Sequence, residues 1–84
     1  MTTWKTVAQD TDVNGVGVLM KYAEFGKGRG KVRKWELFRG DEQGGYEKVG
    51  YAVNEADAKV NFARVKDGAT LNANTGFYEY PVGP

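Results

Sequence analysis

The chain has 84 residues, 40% of them hydrophobic and 27% charged, with a formal net charge of +1. That length allows one domain over 1–84 with no linker, burying only about 60–65% of the surface its unfolded form exposes, and the hydrophobic share is too high for a disordered chain. His and Cys are both absent, which excludes imidazole bases, thiolate nucleophiles, disulfides and ordinary zinc or copper sites.

From Met1 to Lys5 there is no apolar run of the kind a signal peptide carries. The longest apolar stretch, Val16 to Met20, is far too short to span a bilayer, so a cytoplasmic protein without a membrane partner is expected. Trp4 to Ala8 reads as extended. Asn14-Gly15 predicts a two-residue type I′ hairpin turn, which needs positive φ at both central positions. Val16, Val18, Met20 and Tyr22 then alternate with Gly17, Leu19, Lys21 and Ala23, the period of a strand.

Gly26-Lys27-Gly28-Arg29-Gly30 is too rich in glycine for a regular element and reads as a hairpin tip. Val32 to Phe38 is the next strand, with Arg33, Trp35 and Leu37 on one face and Val32, Lys34, Glu36 and Phe38 on the other. After the polar turn from Gly40 to Gly45, Tyr46 to Val53 alternates again. Here Val49, Tyr51 and Val53 fall on one side, and Lys48, Gly50 and Ala52 on the other. Consecutive strands joined by short turns predict an antiparallel meander.

Residues 54–66 decide the fold class. Asn54 suits an N-cap, Glu55 and Asp57 suit a first turn, Glu55 and Lys59 form a favourable i,i+4 pair, and Gly68 suits the position after the helix. Against a helix, Ala56, Val60 and Ala63 form one apolar stripe and Ala58, Phe62 and Val65 another, while Ala58, Val60 and Phe62 also fit strand alternation. In that strand reading, Asp67-Gly68 would be a second hairpin turn. The helix is favoured because Glu-Ala-Asp-Ala-Lys consists mainly of residues that suit it. Phe77 to Tyr80, after a turn at Asn74-Thr75-Gly76, is expected to close the sheet. The expected fold is α+β, an antiparallel meander of four to five strands with one helix at about 54–66. A small all-β barrel or sandwich is the alternative.

Charge is unevenly distributed. Lys21 to Arg39 holds seven basic and two acidic residues, whereas the rest holds five basic and nine acidic. A basic middle third flanked by acidic ends points to an anionic partner. The same Gly-rich run is not a nucleotide loop: Gly30-Lys31 is followed by Val32 rather than Ser or Thr, and the third Gly of a dinucleotide fingerprint is replaced by Lys31. Asp10, Asp12, Asn14 and Gly15 match the opening of an EF-hand loop, but Lys21 stands where the bidentate Glu belongs. The carboxylate pairs Asp10/Asp12, Asp41/Glu42 and Glu55/Asp57 lie at turns or in a first helical turn, where acids are favoured for structural reasons. No catalytic residue, cofactor or metal site is therefore expected.

The strand with Trp35, the Gly-rich turn and Gly50-Tyr51-Ala52-Val53-Asn54-Glu55-Ala56 opening a helix are similar in order, over residues 31–65, to three-stranded-sheet DNA readers. The plant AP2-type domain and the arm-binding domains of phage-type integrases share that order. The Gly-aromatic to Glu-Ala spacing here is one residue short, and many unrelated ββα units look alike, so no family is assigned.

The expected function is a non-catalytic nucleic-acid-binding domain. Lys21, Lys27, Arg29, Lys31, Arg33 and Lys34 of a basic hairpin (21–39) would meet the phosphates of DNA or RNA, with Phe25 and Trp35 as stacking residues. The competing demand on Trp35 and Tyr22 is that so small a domain needs its large side chains inside. The alternative function is a small protein-binding inhibitor or accessory module, of the kind phages and mobile elements encode, that docks the same hairpin on a partner with an acidic surface.

Overall fold

A computed structural model describes residues 3–26 and 28–80. Four strands, β1 (Lys5–Thr11), β2 (Gly17–Phe25), β3 (Val32–Asp41) and β4 (Gly45–Ala52), form an antiparallel sheet in sequence order. A 3₁₀ turn, Gly28–Gly30, lies in the β2–β3 hairpin tip, and one helix, α1 (Glu55–Lys66), follows β4. Two short strands, β5 (Thr70–Leu71) and β6 (Tyr78–Glu79), pair only with each other. The fold is therefore α+β, with no closed barrel among the described residues, and β6 pairs with β5 in a separate hairpin instead of extending the sheet.

The helix forms where its capping residues predict. The Asn54 side chain accepts from the Asp57 N–H at 2.8 Å, and Lys59 pairs with Glu55. At the other end the Gly68 N–H reaches the Val65 carbonyl and the Ala69 N–H the Arg64 carbonyl, a Schellman motif with Gly68 at φ 98°. Asp67-Gly68 thus ends the helix and makes no hairpin turn. Of the two apolar stripes, only Ala58, Phe62 and Val65 face the protein; Ala56, Val60 and Ala63 are exposed.

That stripe packs on one face of the sheet. Ala58 meets a cluster of Met20, Trp35, Leu37 and Ala52, with Ala8, Tyr22, Val49 and Phe62 around it. Leu37, Val18 and Val65 are the largest side chains fully removed from water. Each such residue contributes about 1.5–3 kcal/mol relative to exposure. Gly50 completes the seat: a Cβ there would lie 2.0 Å from the Tyr78 hydroxyl and 3.1 Å from Leu37 Cδ1. The missing side chain is what lets Tyr78, and with it the β5–β6 hairpin, lie against the sheet.

Two local features depart from the sequence pattern. The β1–β2 connection is not a two-residue type I′ turn: residues 12–16 link the strands, and Gly15 has positive φ while Asn14 does not. The cause is Asp12, which is 6% exposed. Its carboxylate accepts from the N–H groups of Asn14 (2.8 Å) and Val16 (2.9 Å) and pairs with Arg39 at 2.8 Å, shaping the loop around a buried acid. In β4, the partner of Leu37 is Gly50 while that of Phe38 is Lys48, so a bulge at Val49 interrupts the alternation. Val49 turns toward the core and Lys48 joins the same face as Tyr51, where uninterrupted alternation had separated them.

Burial alone would raise the Asp12 carboxyl, but the N–H donors of Val16 and Asn14 and the Arg39 guanidinium outweigh it and hold the group below its ordinary range. A depressed carboxyl stabilises the fold fully above its unfolded-state value, and that contribution disappears as pH falls through the folded-state value. Asp12→Ala is expected to cost about 1–3 kcal/mol at neutral pH, by the loss of a buried hydrogen-bonded acid. Asp12→Asn should flatten the acid limb of stability against pH below about pH 4. Urea melts across that range check both.

Gly50→Ala is expected to displace Tyr78 and release the β5–β6 hairpin at a cost of about 1–3 kcal/mol. Amide exchange should accelerate at Thr70 and Leu71 before it does so in β2 and β3. Unchanged exchange at β5 would show that the hairpin docks by other contacts.

Candidate nucleic-acid interface

Strand pairing determines which residues share a face. Met20 lies opposite Leu37, Tyr22 opposite Trp35, and Trp35 opposite Ala52; this is the face α1 covers. On the other face successive rows run across the sheet. Thr6, Lys21, Glu36 and Tyr51 form one, and Gln9, Leu19, Phe38 and Lys48 the next. Lys34 lies opposite Ala23 in the row beyond. Among the described residues α1 lies on the first face only, although Leu19 and Ala23 on this second face are themselves buried.

The open face is aromatic and cationic together. The Lys34 ammonium lies 5.8 Å and the Lys48 ammonium 5.7 Å from the Tyr51 ring centroid, and Lys21 stands 5.3 Å from that of Phe38. At one end of the sheet Phe25 meets Trp4 edge-to-face at 5.7 Å. Tyr51 is 53% exposed. Glu36 is the one acid among the described strand residues of this face, and it is ion-paired to Lys48. Other strand acids, such as Asp10 and Glu24, lie on the helix side, Asp10 opposite Val18 and Glu24 opposite Arg33.

The structure divides the basic hairpin between the two faces. Lys21, Lys34 and Phe25 stand on the open one. Arg33 lies on the helix side. Trp35 also points beneath the helix, 6% exposed and 4.9 Å from the Tyr22 ring, so its indole is core and presents no stacking surface. Arg29 is exposed in the 3₁₀ turn. Lys31 is ion-paired with Glu24, which also accepts from the Tyr22 hydroxyl. The Lys31 ammonium first, and the Tyr22 hydroxyl second, hold the Glu24 carboxyl below its usual range. Lys27 lies outside the described residues.

Sequence reasoning missed Trp4, Phe38, Lys48 and Tyr51 as candidate interface residues. Phe38 was legible as a face-mate of Lys34 by strand alternation. Trp4 and Tyr51 lie outside the basic segment, and the bulge at Val49 hid Lys48. Among the described residues no cluster of His, Cys, Asp or Glu is placed to hold a metal ion, and no helix is long and apolar enough to cross a membrane. Comparison of the chain with protein families, with curated proteins and with solved structures gives no match.

The two faces should respond differently to truncation. Trp35→Ala is expected to cost about 3–5 kcal/mol as a core cavity, whereas Tyr51→Ala should stay within about 0.5 kcal/mol of the parent. Denaturant titrations of the two variants measure the contrast; equal losses would mean that the face bearing Tyr51 is covered.

Proposed function

We propose that this protein is a non-catalytic nucleic-acid-binding domain that holds its ligand on the open face of the sheet and on the adjoining hairpin. One observation carries the reading: Lys21, Lys34 and Lys48 stand among Phe38 and Tyr51 on the face that α1 does not cover. Lysines neutralise phosphates and release counterions, and aromatic rings offer a surface on which bases stack. A protein partner with an acidic surface would use the same lysines. The aromatic rings between them favour a ligand that supplies π-faces as well as charge.

The hairpin tip extends the basic surface beyond the sheet through the exposed Arg29. Lys31 contributes less, because Glu24 already occupies its charge. Placement on opposite sides of the sheet also separates Arg33 from Lys34, so adjacent cations in sequence do not act on one ligand surface.

Fluorescence anisotropy with short DNA and RNA oligonucleotides, from low to physiological salt, tests this reading. Log K is expected to fall linearly with log salt. Changing Lys21 or Lys34 to Gln should reduce the magnitude of the slope by about 0.7–0.9 each, and Lys48→Gln, whose charge Glu36 already pairs, by less. Arg33→Gln, on the helix side, should change it less. An absence of binding at low salt would overturn the proposal and direct attention to an acidic protein partner.

A further inference from the structure

The geometry points to an unpaired nucleic-acid strand, rather than a duplex, as the ligand of the open face, with Tyr51 as the platform for one base. This inference rests on the nucleic-acid reading above and specifies it.

A duplex presents its phosphates outward and its bases stacked within, so it can use the lysines but offers no free base face to an exposed aromatic ring. A single strand presents both. Tyr51 is more than half exposed at 53% and has an ammonium within 6 Å on either side of its position in the rows, Lys34 in one direction and Lys48 in the other. Every internal nucleotide carries a phosphodiester on each flank. A base that takes the place of an ammonium over the Tyr51 ring frees that lysine to meet one flanking phosphate and leaves the second lysine beside the next. Phe38, diagonal to Tyr51 in the adjacent row and beside Lys21, offers the neighbouring base a second ring with its own cation.

The bulge at Val49 is what makes this arrangement. Without the extra residue, Lys48 would stand on the face opposite Tyr51, on the helix side. Glu36 lies between the rings on β3 and is tied to Lys48. It holds the ammonium over the face while leaving Lys34 and Lys21 to carry the charge. Stacking on exposed rings tolerates any base, so the preference is for unpaired strands and not for a sequence.

The test compares one sequence as single-stranded DNA, as single-stranded RNA and as duplex DNA, in anisotropy titrations with the parent protein, Tyr51→Leu and Tyr51→Phe. The single strands are expected to bind at least tenfold tighter than the duplex. Tyr51→Leu should weaken them about 5- to 150-fold and leave the duplex unchanged, while Tyr51→Phe keeps the ring and the affinity. The DNA and RNA arms show which sugar is preferred. Equal binding of strand and duplex, or equal loss of both in Tyr51→Leu, would overturn the inference and leave the nucleic-acid reading intact. Failure of all three ligands to bind would remove both. A concentration-dependent dimer dispersed by Tyr51→Leu, seen by sedimentation without oligonucleotide binding, would assign the face to a second copy of the chain and overturn both.

Discussion

One helix, seated by its Ala58–Phe62–Val65 stripe, covers one face of a four-stranded sheet and leaves the other largely open, and most of this molecule follows from that asymmetry. The helix runs from Glu55 to Lys66, about 18 Å at 1.5 Å per residue, enough to cross the sheet once. It seats Ala58 on Met20, Trp35, Leu37 and Ala52, where small residues on both layers permit close approach. Most of the large apolar side chains compete for that one interlayer space, while Leu19 is buried on the other face. Trp35 and Leu37 occupy it. The alternate residues of the same strands, Lys34, Glu36 and Phe38, are consequently left on the outside.

What borders the core is as selective as what fills it. Asp12 is a buried carboxylate and would be costly on its own, but two N–H donors and Arg39 satisfy it. The Val13 N–H in the same loop reaches the Lys66 carbonyl, tying the β1–β2 connection to the helix end. Asp10 pairs with Lys66 across the same junction. Asp10, Asp12 and Glu24 on the helix side therefore have structural partners, whereas among the described strand residues the open face holds three lysines against one carboxylate. The segregation gives the domain a polarity that its net charge of +1 conceals.

An exposed sheet face with aromatic residues invites aggregation unless charge is placed among them. Lys21, Lys34 and Lys48 meet that requirement, and their contacts with the rings of Phe38 and Tyr51 shield apolar surface through the lysine stems. The arrangement that keeps the face soluble is also the one that suits an anionic, base-bearing ligand. Solubility and binding thus make the same demand on these positions.

Much of the fold was legible in the sequence by itself. The alternation of Val32 to Phe38 assigned both faces of β3, and Asn54, Glu55 and Gly68 located both ends of the helix, because capping and pleating are local. The basic character of residues 21–39 was legible too, since charge is additive along a chain. Three outcomes needed the tertiary structure. Asp12 overrode the Asn14-Gly15 turn signal because its partner Arg39 is remote in sequence. The Val49 bulge carried Lys48 to the other face because Gly50 had to pair with Leu37 and admit Tyr78. Finally, neither face of β3 is marked as the covered one until the Ala58–Phe62–Val65 stripe chooses it. Burial is a relation between elements, so the sequence determined that Trp35 and Lys34 point in opposite directions, and only packing decided which of them meets water.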